Sequence, residues 1–210
     1  MLPLLSALVA GCVHALEADH MAAVTTFVSR RPHPLKALGF GVRWGLGHSA
    51  MLLLAGGTLI LLDLRPPPGA VRLFEAGVGA MLLGLGVWVL VEVVHGRALR
   101  GDHELALARG HRHGHLPGAT WVGAAHGLAG TTGFLALLPA AMLASPWLAS
   151  SYLALFGAGT MASMGAYALG AGLLFRRAGA GAPVLARIMR VAAGATSGAV
   201  GCLWIARALS

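Results

Sequence analysis

Long apolar runs separated by short polar breaks set the pattern of this chain. The runs extend from Leu2 to Val28, Ala37 to Leu62, Val71 to His95, Trp121 to Leu143, Trp147 to Phe175 and Val184 to Leu209. A helix needs about 20 mostly apolar residues to cross the hydrocarbon layer, so the pattern predicts six transmembrane helices and an all-α polytopic membrane protein. The breaks are SRRPHPLK (Ser29 to Lys36), DLRPPPG (Asp63 to Gly69), a His- and Arg-rich stretch from Gly96 to Gly118, ASP (Ala144 to Pro146) and RRAGAGAP (Arg176 to Pro183). Each is rich in the residues that end helices and make turns.

A faint internal echo divides the chain in two. GCVHALEAD (Gly11 to Asp19) aligns with GAAHGLAGT (Gly123 to Thr131), setting His14 over His126, 112 residues on. The same shift pairs His48 with Thr160, and a slightly longer one pairs Gly77 and Gly84 with Gly194 and Gly201. Three spans per half is an odd number, so the halves have opposite orientations, as in many secondary transporters whose substrate site lies near the midplane on broken helices. The expected organisation is a three-helix repeat over 1–95, a cytoplasmic His-rich linker over 96–118 and an inverted three-helix repeat over 119–210. Glycines at small-residue spacings suit close helix packing in lipid.

Composition agrees with this picture. The chain is 57% hydrophobic and only 10% charged, against roughly 25% charged in soluble domains, and its mean hydropathy is +0.77. A net charge of +8 would suggest nucleic acid in a soluble protein, but here the basic residues sit in the connections and predict orientation instead. Arg30, Arg31, Lys36, Arg97, Arg100, Arg109, Arg112, Arg176, Arg177 and Arg187 follow spans one, three and five, whereas the other side holds Arg65, Arg72 and Arg207. The asymmetry places the odd connections in the cytoplasm and both termini outside. No nucleic-acid partner is expected. Cys12 and Cys202 stand far apart in apolar runs, which argues against a disulfide or redox motif, and the first run lacks the basic start of a removable signal.

One stretch departs from the apolar pattern. HALEADH, His14 to His20, sets two imidazoles and two carboxylates inside the first span. Charges there are expensive and mark function. At about 100° per residue, His14, Glu17 and His20 share one broad face and Asp19 points elsewhere. Gathering all four round one ion therefore requires the helix to kink or break between Ala15 and Asp19, which is tolerated at membrane depth only where protein covers the backbone. Imidazole and carboxylate together suit nickel, cobalt or zinc. His48, in GLGHSAM of span two, offers a third imidazole, and Gly45 and Gly47 would let its helix approach span one. His126, among Gly123, Gly127 and Gly130, is a further candidate. Glu17 is a ligand, an orienter of a histidine N–H or a proton carrier. The linker histidines His95, His103, His111, His113 and His115 form a possible weak metal tract.

HALEADH, with LGHS at Leu46 to Ser49, resembles the signature of the nickel/cobalt transporter (NiCoT, NicO) family, and HGLAGT at His126 to Thr131 is similar to that of its UreH-like branch. The resemblance covers the whole six-span chain. It implies nickel or cobalt recognition by His14, Asp19 and His20 through the first motif and by His48 through the second. Glu17 stands where the family usually has Asp, and the Phe-Asp-Thr-Ala-Thr-Glu type of motif found in larger members is absent. The reading that follows is a permease of the bacterial inner membrane that takes up Ni2+ or Co2+ by alternating access, with the ion as cargo and no cofactor. The resemblance also implies a link to urease or nickel-hydrogenase maturation. An exporter and an intramembrane metalloenzyme are the alternatives, the latter disfavoured because the HExxH pattern of metalloproteases is missing.

Overall fold

A computed structural model describes residues 2–30, 32–62, 68–95, 116–128, 139–140, 142–143 and 145–210. Among them all regular structure is helical: α1 Leu2–His14, α2 Ala18–Arg30, α3 Pro34–Leu61, α4 Pro68–Val94, α5 Leu116–Leu128, α6 Pro146–Gly181 and α7 Pro183–Leu209. The His-rich stretch 96–115 lies outside the described residues, as does most of the chain between α5 and α6.

Several prolines expected to end helices instead begin them. Pro34, Pro68, Pro146 and Pro183 are each the first residue of a helix, where the missing N–H costs nothing and the fixed φ is already helical. The expected loop Arg176 to Pro183 is almost entirely helical, because Ala and Arg are good helix formers and nothing stops α6 before Gly181. Only Ala182 separates α6 from α7, at φ −149° and ψ 75°, outside the helical region that a residue before proline disfavours. The helix α5 starts at Leu116, within the last residues of the stretch 96–118.

Among the described residues, three helices are long and apolar enough to cross a membrane, or four if α1 and α2, bent by 55°, form one broken span. Among the described residues the expected six are therefore met only in part. The helix α3, with Lys36 and Arg43, and the 13 described residues of α5 are not among those that qualify. The distribution of side chains is inside-out. Leu2, Val13, Leu54, Leu73, Trp121 and Trp147 are exposed, while His14, Asp19, His20, His48, Ser49, His126, Thr160 and Ser197 are buried. Apolar outer faces are what lipid stabilises, and buried polar groups are what it does not.

Glycine sets how closely the helices approach. Gly11 of α1 lies on the backbone of Phe156 in α6, and Gly123 of α5 lies on the backbone of Trp44 in α3. These two contacts map onto each other under a shift of 112 residues. The same holds for Gly159 on Leu8 with Gly47 on Thr120, and for Gly157 on Ser49 with Gly45 on Met161. A Cβ at these positions would meet neighbouring atoms inside contact distance, so only glycine permits the crossings.

Two local readings are corrected here. Gly45 and Gly47 bring α3 against α6 and α5 rather than against span one. In the pairing of α4 with α7, Gly77 and Gly84 meet open space, and the glycines that pack are Gly79 on Gly201 and Gly86 on Gly194. Those contacts are reciprocal at a shift of 115.

The far end of α2 is tied down by charge. Arg30 forms a two-pronged ion pair with Glu92 of α4 and stacks 3.3 Å above the Trp88 ring. Nε of Arg190 in α7 donates to the Ser29 carbonyl at 3.1 Å.

Candidate metal centre

The polar core is built round the interruption between α1 and α2. The N–H groups of Leu16 and Glu17 donate to the carbonyls of Val13 and His14 at 3.0 and 3.1 Å, and regular α-bonding resumes with Met21 donating to Glu17 at 3.0 Å. This is a tightened turn in a stretch with no breaker, since Ala, Leu and Glu all favour helix. Tertiary contacts and polar side chains therefore hold it. Its effect is to turn His14, the last residue of α1, towards His20, in the first turn of α2, with ring centroids 4.7 Å apart.

Each of these histidines leans on a carboxylate. His14 Nδ1–H donates to Glu17 Oε1 at 3.0 Å, and His20 Nδ1–H donates to Asp19 Oδ1 at 2.8 Å. A neutral imidazole that donates from Nδ1 keeps its lone pair on Nε2, so both Nε2 atoms are fixed as acceptors. His14 Nε2 lies 3.2 Å from Nε2 of His48, and His20 Nε2 is buried without a hydrogen-bond partner. His14, His20 and His48 each place one ligand atom within 4.8 Å of the others.

A second group overlaps the first. Asp19, His20 and His126 also bring ligand atoms within 4.8 Å of one another, with Asp19 Oδ2 and His126 Nε2 separated by 3.6 Å. The expected residues are all close together, but not as one ring of ligands. Glu17, 28% exposed at its side chain, reaches His14, while Asp19 stands between His20 and His126. Around His126 the chain is regular helix, and Gly123 and Gly127 seat α5 on the backbones of Trp44 and His48. Gly130 is outside the described residues.

Sequence reasoning missed Trp44. Fully buried, it packs edge-on against His20 at 4.9 Å, stacks on His48 at 5.5 Å and tilts against His126 at 5.2 Å. Its position four residues before His48 puts both on one face of α3, which was the available signal. Phe156 plays the matching part beside His14, with centroids 5.4 Å apart. These rings and imidazoles exclude water from the cluster, and a buried polar atom left unpaired costs about 1–3 kcal/mol. His20 Nε2, His48 Nδ1, Trp44 Nε1 and both ring nitrogens of His126 have no hydrogen-bond partner.

Two ligand atoms about 2.0–2.2 Å from a common ion are at most about 4.4 Å apart. The separations of 3.2 Å and 3.6 Å both satisfy that limit. Histidines oriented by carboxylates through their second nitrogen are the usual supports of a transition-metal ion.

No family model matches the chain, and no solved structure matches it. Among curated proteins it is 31% identical over 166 residues to the urease accessory protein UreH of Bacillus sp. (strain TB-90), an alignment spanning 74% of this chain and 70% of that protein.

Proposed function

The chain belongs to the family of the urease accessory protein UreH, and on that premise we propose that it carries a divalent transition-metal ion, Ni2+ or Co2+, across the bacterial inner membrane. The observation that carries the proposal is the convergence of His14, His20 and His48 at a break in a membrane-embedded helix, with two carboxylates on their outer nitrogens. Three clustered imidazoles, two of them with Nε2 lone pairs held inward, suit a borderline ion such as nickel, cobalt or zinc and give no advantage to magnesium or calcium. The protein acts as a permease and not as an enzyme.

Six spans arranged as two inverted three-helix repeats give the site its place at the midplane, between halves that rock against each other. The reciprocal glycine contacts support that arrangement. Both termini face outward, and the His-rich linker lies in the cytoplasm. Transport runs inward and supplies the ion to urease, the enzyme that the name of the relative carries. Imidazole must be neutral to ligate, so protonation of the site histidines in acid weakens flux.

The test is metal flux in proteoliposomes, read by an entrapped metal-sensitive dye, across Ni2+, Co2+, Zn2+ and Mn2+. Ni2+ or Co2+ entry by the wild-type protein, lost in His14→Ala with helicity retained, supports the proposal. Absent flux in the wild type, or undiminished flux in the variant, overturns it. Cells expressing the protein gain nickel-63 if transport is inward and lose it if the protein is an exporter.

A further inference from the structure

Resting on that reading of the cluster, we propose that the protein holds its ion at two successive positions that share His20. The first is His14, His20 and His48; the second is Asp19, His20 and His126.

The two groups fit one relay better than one site. His14 ends α1 and holds Glu17, the last residue of the break, by its side chain, whereas Asp19, His20 and the whole of α2 stand beyond it. His48 comes from α3 and His126 from α5. His14 has no contact with His126 comparable to its 3.2 Å approach to His48, and Asp19 turns its free oxygen to His126 at 3.6 Å. His20 belongs to both groups, with its two nitrogens on opposite edges of the ring. Nδ1 lies 2.8 Å from Asp19 Oδ1, on the side of the second group, and Nε2 is buried and unpartnered. The ring sits within 5.1 Å of both His48 and His126, centroid to centroid.

His126 is the residue that most needs a second position. It is fully buried, and neither of its ring nitrogens has a hydrogen-bond partner. A core histidine kept only for packing satisfies at least one nitrogen. At the second position the ion meets a carboxylate oxygen and an imidazole from the other half of the chain, so an ion moving between the positions exchanges two imidazoles for Asp19 and His126, and His20 ligates it there through Nδ1 as the Nδ1 proton passes to Nε2, the nitrogen the ion has left. Trp44 forms a common wall, touching His20, His48 and His126. Because His20 is shared, the two positions are filled in turn.

Co2+ binding to purified protein, followed by its visible ligand-field spectrum and by calorimetry, separates the positions. The wild type binds one ion. His48→Ala binds one ion at least 10-fold more weakly, with a changed spectrum, and adding His126→Ala to it removes the remainder. His126→Ala alone retains binding within a few-fold and the wild-type spectrum, but loses flux in proteoliposomes. The inference is overturned if His126→Ala leaves flux intact, or if the double variant binds as well as His48→Ala. If the wild type binds no Co2+ at all, the reading of the cluster as a metal centre fails, a different outcome from failure of the relay.

Discussion

The two halves of this chain pack alike and differ in what they carry. Under a shift of 112 residues Gly11 on Phe156 becomes Gly123 on Trp44, and His14 beside Phe156 becomes His126 beside Trp44. At the matching sites in α3 and α6, however, the imidazole of His48 gives way to the hydroxyl of Thr160. His48 directs Nε2 at His14, whereas Thr160 spends its hydroxyl on the carbonyls of Gly11 and Phe156. The scaffold is therefore doubled while the chemistry is concentrated in one half. A repeat supplies backbone approach, which depends on small residues; a metal centre needs a few donors at one point, which a single half together with one residue from the other provides.

The largest effect follows from erasing that difference. His48→Thr, which makes α3 like α6, lowers Ni2+ or Co2+ affinity by at least about 10-fold, or about 1.4 kcal/mol, as measured by calorimetry. Thr160→Val, the converse edit, leaves affinity unchanged and lowers stability by about 1 kcal/mol. Equal metal affinities for His48→Thr and wild type would remove the distinction between a binding half and a supporting half.

Next come the carboxylates. Asp19→Asn and Glu17→Gln each weaken metal affinity, by about 10–100-fold for a partner that orients a histidine ligand. The loss is larger for Asp19, which serves His20 and faces His126, than for Glu17, whose more exposed side chain serves His14 alone. The reverse order would show that the α1 side, not α2, dominates the site.

Much of this was legible in the sequence, and the reasons differ from residue to residue. The break at HALEADH followed from counting angles: four polar groups cannot share one face of a regular helix, and the helix is interrupted at Ala15 to Glu17. Propensity alone would have hidden it. The helix ends were misplaced because proline reads equally as a stop or a start until the neighbouring backbone is known, as at Pro34 and Pro183. The division of the ligands into two overlapping groups was not legible, because it depends on how α3 and α5 meet α2, and no local pattern encodes that. Trp44 escaped notice because a tryptophan in an apolar run ordinarily signals lipid, whereas here it faces the histidines.

The packing symmetry is tested by glycines, with effects on stability rather than on binding. Gly11→Ala and Gly123→Ala each place a Cβ against a backbone in the partner helix, and overpacking of that kind costs about 1–3 kcal/mol. Thermal unfolding in detergent is expected to show similar losses for the two. Gly77→Ala, where a Cβ meets open space, is neutral or stabilising by up to about 1 kcal/mol. Unequal losses at Gly11 and Gly123 would confine the symmetry to backbone placement.

The smallest effect concerns an anchor present in one half only. Arg30 pairs with Glu92 and lies on Trp88; the shifts of 112 and 115 carry Arg30 and Glu92 to Met142 and Arg207, both exposed. The pair is 27% and 23% exposed at its side chains, so its stabilising contribution is that of a partly solvated ion pair, up to about 1 kcal/mol and weakened by salt. Glu92→Gln should lower the unfolding midpoint slightly, and less so at high ionic strength. Metal affinity should stay the same, because α2 brings Asp19 and His20 to the cluster at its opposite end. A parallel loss of affinity would mean that holding the C-terminal end of α2 in place also sets the geometry at its N-terminal end, and that the asymmetry of the halves extends from ligands to anchoring.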